Sequence, residues 1–73
     1  MATSVRAHIT GTVWKIEVSV GDAVTEGQTL VILESMKMEM PVESPGPGRI
    51  SAVLIQAGAA VEEGAILLEL DPD

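Results

Sequence analysis

At the middle of the 73-residue chain Lys37 stands between two methionines, in the run Glu34-Ser35-Met36-Lys37-Met38-Glu39. A lysine amine is a nucleophile once it is neutral, so the chemistry open to this residue is a covalent bond through its side-chain nitrogen. The chain has only four lysines and arginines, and an ordinary surface lysine needs no methionine on either side. Taken alone, the residue reads as a solvated turn lysine beside two loosely packed methionines. Other candidates offer less. His8 is the single histidine and has no carboxylate or nucleophile in a recognised pattern, which places it at the surface. Glu62 and Glu63 adjoin Gly64 and read as a solvated loop. With no cysteine in the sequence, neither a disulfide framework nor a cysteine–histidine zinc site is available. The glycines at 11, 21, 27, 48, 58 and 64 form no phosphate-cradling loop followed by a helix, so nucleotide binding is not supported. The expectation is a chain with no catalytic centre of its own.

The elements that must position Lys37 lie on either side of it. Thr29-Leu30-Val31-Ile32-Leu33 is a short apolar run rich in β-branched residues, a candidate buried strand. Met38-Glu39-Met40-Pro41-Val42 alternates apolar and polar up to the proline, as a half-exposed strand does. Two strands with almost nothing between them make a hairpin, and Lys37 falls at its tip.

Glu34 to Glu39 resembles the attachment motif of biotinyl carrier domains, whose core is Met-Lys-Met preceded by Glu-Ala or Glu-Ser. On this motif the chain is identified as a member of the biotinyl/lipoyl attachment domain family. The resemblance implies that a biotin protein ligase acylates the lysine at the tip of an exposed hairpin, so Lys37 would carry covalent biotin. Met36 and Met38 would be the flanking positions of the motif, with Glu34, Ser35 and Glu39 completing it. The lipoyl branch usually has Asp-Lys-Ala or Asp-Lys-Val at this place, so the methionines favour biotin. The alternative is a lipoyl carrier of a 2-oxoacid dehydrogenase or glycine-cleavage type system. Glu34 and Glu39 are open to two readings, a charge signal to the ligase or simple solubility of the tip.

Seventy-three residues allow one small domain, near the lower limit for a chain that folds without metals or disulfides. The formal net charge of −7 repels nucleic acid and anionic membrane; solubility of a small protein is its default reading, and steering of the domain to basic partner surfaces is the alternative. No apolar run approaches the length needed to span a bilayer, and Met1 to Arg6 lacks the pattern of a signal peptide. A cytoplasmic monomer is the expectation. Trp14 is the only aromatic residue, which excludes a stacking platform for bases or sugars.

Sliding the sequence along itself by 37 residues brings Val5, Gly11, Gly21, Val24, Glu26, Gly27 and Leu30 onto Val42, Gly48, Gly58, Val61, Glu63, Gly64 and Leu67. Ala7 meets Ser44, Val13 meets Ile50, Val18 meets Ile55, and Leu33 meets Leu70. The chain reads as two copies of one unit, intertwined around one core. In the first copy Val13 to Val20 alternates, with Trp14, Ile16, Val18 and Val20 on one face and Lys15, Glu17 and Ser19 on the other. Trp14 is thereby expected to plug the core. Gly21-Asp22 and Glu26-Gly27 supply turns. In the second copy Pro45-Gly46-Pro47-Gly48 is a rigid bend before the long strand Ile50 to Ile55. Ala57 to Leu70 contains enough Ala, Glu and Leu to pass for a helix. Its counterpart from Gly21 to Gly27 is turn-like, and the repeat decides for strands.

Eight short strands in two related halves imply an all-β flattened barrel or sandwich with one shared core. The single domain is expected over residues 1–73, with halves at about 3–36 and 39–72 and the attachment hairpin at 34–39. The resemblance implies two four-stranded antiparallel sheets related by a pseudo-twofold axis, a barrel-sandwich hybrid with the hairpin at one end and the termini at the other. Gly21-Asp22-Ala23-Val24-Thr25-Glu26-Gly27 also resembles the family, whereas Ala7-His8-Ile9-Thr10-Gly11 lacks two prolines common there. No segment between Gly11 and Gly27 is long enough for the protruding insertion of some bacterial carriers, and Ser35 stands where Ala is commoner. By the resemblance the chain is a biotin carboxyl carrier, serving a biotin carboxylase and a carboxyltransferase as partners. A third class, the unmodified lipoyl-like module of membrane-fusion adaptors, typically has a long helical insertion that this chain lacks.

Overall fold

A computed structural model describes residues 2–72. Eight strands follow one another: β1 (Thr3–Arg6), β2 (Gly11–Ile16), β3 (Ala23–Val24), β4 (Thr29–Ser35), β5 (Met38–Glu43), β6 (Gly48–Val53), β7 (Ala60–Val61) and β8 (Ile66–Pro72). They form two four-stranded sheets of order β1-β8-β6-β3 and β5-β4-β2-β7, all antiparallel in their pairings. Each half of the chain gives two strands to each sheet, so neither half could bury its apolar face alone.

The 37-residue repeat is the repeat of the fold. The bounds of β2, β3 and β4, moved by 37, are those of β6, β7 and β8. Turn and loop bonds obey the same offset. Gly21 N–H donates to the Ile50 carbonyl and Gly58 N–H to the Val13 carbonyl, while Gly27 N–H donates to Ser44 and Gly64 N–H to Ala7. The largest fully buried side chains are Leu30, Leu33, Ile50, Leu67, Leu68, Leu70, Val13 and Val31. These are four repeat-related pairs, Leu30 with Leu67, Leu33 with Leu70, Val13 with Ile50 and Val31 with Leu68. Burial of one such side chain is worth about 1.5–3 kcal/mol, so the centre of the core is the main reason the two halves stay together. Ser44, the one buried polar side chain among the described residues, donates to the Gly46 carbonyl at 2.6 Å.

The stretch from Ala57 to Leu70 forms turns and strands, and no helix occurs among the described residues. Its helix-forming alanines and glutamates are overruled by tertiary bonds. Gly58 and Gly64 take φ values of 92° and 90°, which deliver their N–H groups to the Val13 and Ala7 carbonyls, extending the β2–β7 and β1–β8 pairings.

One expectation is corrected. Trp14 is not in the core; it is 47% exposed, and Val20 at the end of the same alternation is 62% exposed. β2 stops at Ile16, and it contains a bulge: Val13 pairs with Leu33 and Lys15 with Ile32, so Trp14 and Lys15 together oppose Ile32. The extra residue shifts the alternation by one position. Val13 is therefore fully buried, Ile16 half-buried, Val18 buried again, and Trp14 is turned to the outer face. The counterpart bulge on β6 places Ser51 and Ala52 against Glu69.

Candidate attachment site at the β4–β5 hairpin

Leu33 pairs with Met40, Glu34 with Glu39 and Ser35 with Met38, which leaves Met36 and Lys37 as a two-residue loop. Their φ angles are 52° and 65°. Positive φ at both positions is the signature of a type I′ turn, whose twist suits a hairpin and which usually takes Asn-Gly. Met and Lys in that region cost roughly 1–2 kcal/mol each. The strain is held by the strands beneath, where Val31 and Leu33 of β4 and Val42 of β5 are anchored in the core. A closed register below and a tight loop above give Lys37 a fixed origin.

The site faces solvent. Met36 is 92% and Met38 63% exposed, so the two methionines are not core residues. Lys37 is exposed as well, and the one ion pair among the described residues is Lys15–Glu17 at 3.4 Å, on β2 and beyond its end. Glu34 and Glu39 are exposed and lie directly opposite each other on the outer face of the sheet, one residue pair below the tip. Like charges so placed repel, and both are available to a partner instead of being tied to Lys37. Ser35 is half-buried beneath the loop.

Two residues on β2, beside the upper stem of the hairpin, escaped the sequence reading as site residues. Thr12 pairs with Glu34, and a Cβ on Gly11 would lie 2.5 Å from the Glu34 carbonyl oxygen and 3.3 Å from the Ser35 Cβ. β2 thus presses its backbone against the hairpin stem at a point where only glycine fits. The signal was the match of Gly11 with Gly48, whose own Cβ would strike the Asp71 carbonyl at the repeat-related place.

The other polar candidates stay apart from the tip. His8 is exposed and lines a groove with Ser4, Arg6 and Glu43, between the edge strands β1 and β5. Glu62 and Glu63 are in an exposed turn, where the Glu63 N–H donates to the Thr10 hydroxyl at 3.1 Å. No group of three or more His, Asp or Glu side chains that could hold a metal ion occurs among the described residues.

A sequence model of the biotin/lipoyl family, described as "Biotin-requiring enzyme", matches residues 1–70. The chain belongs to the biotin/lipoyl attachment family. Among its relatives is the biotin/lipoyl attachment protein of Bacillus subtilis, 42% identical over 67 residues that make up 92% of either chain. The biotinylated protein TB7.3 homolog of Mycobacterium leprae is also 42% identical over 67 residues, covering 92% of this chain and 94% of its own. Among solved structures, a single-chain, multi-domain long-chain acyl-CoA carboxylase superposes with a TM-score of 0.94 at 32% identity, over 99% of this chain and 7% of that one. The chain therefore spans nearly the whole of the two short relatives and a small part of the multi-domain carboxylase. The all-β sandwich of two four-stranded sheets expected for the family is the fold observed.

Proposed function

We propose that Lys37 is the residue on which this family member carries biotin, and that the chain works as a biotin carboxyl carrier. The observation that carries the reading is the position of Lys37: exposed, in a strained two-residue loop, on a hairpin whose stem is anchored in the core. Its side chain is exposed, as are those of neighbouring Met36 and Met38.

Attachment forms an amide between the Lys37 nitrogen and the activated carboxyl carbon of biotin; the activating group leaves and the amine loses a proton. An amine attacks only in its neutral form, so the biotin protein ligase must supply the base. Loss of the lysine charge takes the formal net charge from −7 to −8. Once attached, biotin supplies a ring nitrogen that takes up and gives up a carboxyl group. This chain's part is mechanical. The hairpin presents the lysine stem away from the sandwich, and the tether turns an encounter in solution into a local one in each of two active sites. A stem that is already ordered loses little freedom when it docks. The partners in this reading are a biotin protein ligase, a biotin carboxylase and a carboxyltransferase, with the catalysis in those proteins.

Intact-protein mass spectrometry after co-expression with biotin ligase, beside a Lys37→Arg variant, tests the assignment. One biotinyl adduct on the parent and none on the variant is expected. A lipoyl adduct on the parent would move the chain to the other branch of the family, and biotin retained by the variant would put the site elsewhere.

A further inference from the structure

The repeat provides an internal comparison between two sheet faces with one backbone design. On the outer face of the β5-β4-β2-β7 sheet, the bulge residue Trp14 stands beside Ile32, and Ile32 pairs with Pro41 on β5. The repeat-related positions on the other sheet are Ser51, Glu69 and Ser4, and there the Ser4 hydroxyl donates to the Glu69 carboxylate at 2.6 Å. One face is apolar where the other is polar, although the fold asks the same of both. Trp14 is 47% exposed, Pro41 exposed and Ile32 half-buried. An exposed tryptophan in such a cluster has the character of an interface centre. Glu34 and Glu39 bound the cluster towards the tip and Glu43 bounds it on the far side; Lys15, paired with Glu17, stands beside Ile32 on β2, and Arg6 and His8 share the groove that Pro41 lines.

We propose that the Trp14–Ile32–Pro41 face is where the enzyme that acylates Lys37 docks, through an apolar centre ringed by lysines and arginines. The inference rests on the reading of Lys37 as the attachment residue. Charge selects the occupant's chemistry. The patch is rimmed mostly by acids on a chain of net charge −7, so a basic partner surface is attracted and a second copy of this chain is repelled. Proline on β5, an edge strand, blunts addition of a partner strand there and leaves the face as the route of approach. Distance selects among enzymes. Ile32 lies three residues before Ser35, about 10 Å along the strand. An enzyme forming a bond to the lysine nitrogen must bring its reacting centre within one side chain of the tip, and its surface then descends over the hairpin flank. An enzyme acting at the far end of the completed arm meets the domain less closely.

The test replaces each patch residue by the one the repeat already holds at its related position, Trp14→Ser, Ile32→Glu and Pro41→Ser together. Initial rates of biotinylation are measured with purified biotin protein ligase, biotin and ATP, and folding is checked by circular dichroism melting. Loss of the whole apolar centre should raise KM for the carrier by about thirtyfold with kcat little changed, and KM of the parent should rise with salt. Trp14→Ser alone, at an exposed bulge position, gives a second variant that should raise KM about tenfold. Unchanged KM in a folded variant overturns the docking face while leaving Lys37 as the biotin site. A defect seen only in later carboxylation of the loaded carrier also overturns it, because another enzyme would then own the patch. No labelling of the parent would remove the attachment reading and this inference together.

Discussion

The two copies of the repeat differ most where the fold constrains them least. Their cores match pair for pair, Leu33 with Leu70 and Val13 with Ile50, and their turn bonds follow one offset. At the hairpin end β4 continues into β5 through Met36 and Lys37; the related place at the other end lies between the end of β8 and the start of β1. A second difference is in the turns. Asp22 accepts from the Ser19 N–H at 2.9 Å, whereas its counterpart is Ala59. A third is the outer face, Trp14, Ile32 and Pro41 against Ser51, Glu69 and Ser4. The sandwich needs apolar residues at core positions and glycine at close approaches. Everything else can vary between copies, and the candidate site is made of that remainder.

The sharpest break in the comparison is Lys37→Arg. Charge and exposure at the tip are kept while the acylatable amine is lost, so biotin incorporation should fall to nothing with the thermal midpoint unmoved. A biotinylated Arg variant would remove the functional asymmetry between the two ends. Leu33→Ala and Leu70→Ala come next. Both sites are fully or almost fully buried, and each should cost about 2–5 kcal/mol in urea unfolding, alike to within about 1 kcal/mol. A wide gap between them would mean that the halves do not share the core equally.

Smaller effects test the close approaches and the turns. Gly11→Ala and Gly48→Ala each put a methyl group against a backbone carbonyl, of Glu34 and Asp71 respectively, and should each cost about 1–3 kcal/mol. Gly11→Ala alone should move the amide resonances of Ser35 to Met38, and silence there would detach β2 from the hairpin stem. Asp22→Ala makes the first turn like the second and should lose about 1 kcal/mol; Ala59→Asp should gain a similar or smaller amount. If the Asp22 variant melts with the parent, the Ser19 bond contributes nothing measurable. Last, Met36→Gly relieves one positive φ value and should change stability by less than about 1 kcal/mol, since relief of strain is offset by a floppier unfolded chain. A clear loss of stability would show that Met36 is anchored by contacts after all.

Much of this was legible in one dimension. The Met-Lys-Met run, the apolar stretch before it and the 37-residue self-match lead to a hairpin with Lys37 at its tip and to an all-β fold in two halves, because these features are local or depend only on repetition. The self-match even resolved Ala57 to Leu70, whose helix propensity pointed the wrong way. What the tertiary structure decided was phase and strain. Whether Trp14 faces the core depends on Trp14 and Lys15 sharing Ile32 across β4, and a bulge is a property of two strands that alternation within one cannot reveal. The positive φ values at Met36 and Lys37 likewise follow from the closed register of β4 on β5, since neither residue prefers that conformation alone. Residue types along the chain determine which lysine is singular; pairing between distant strands determines how it is held and which face stands beside it.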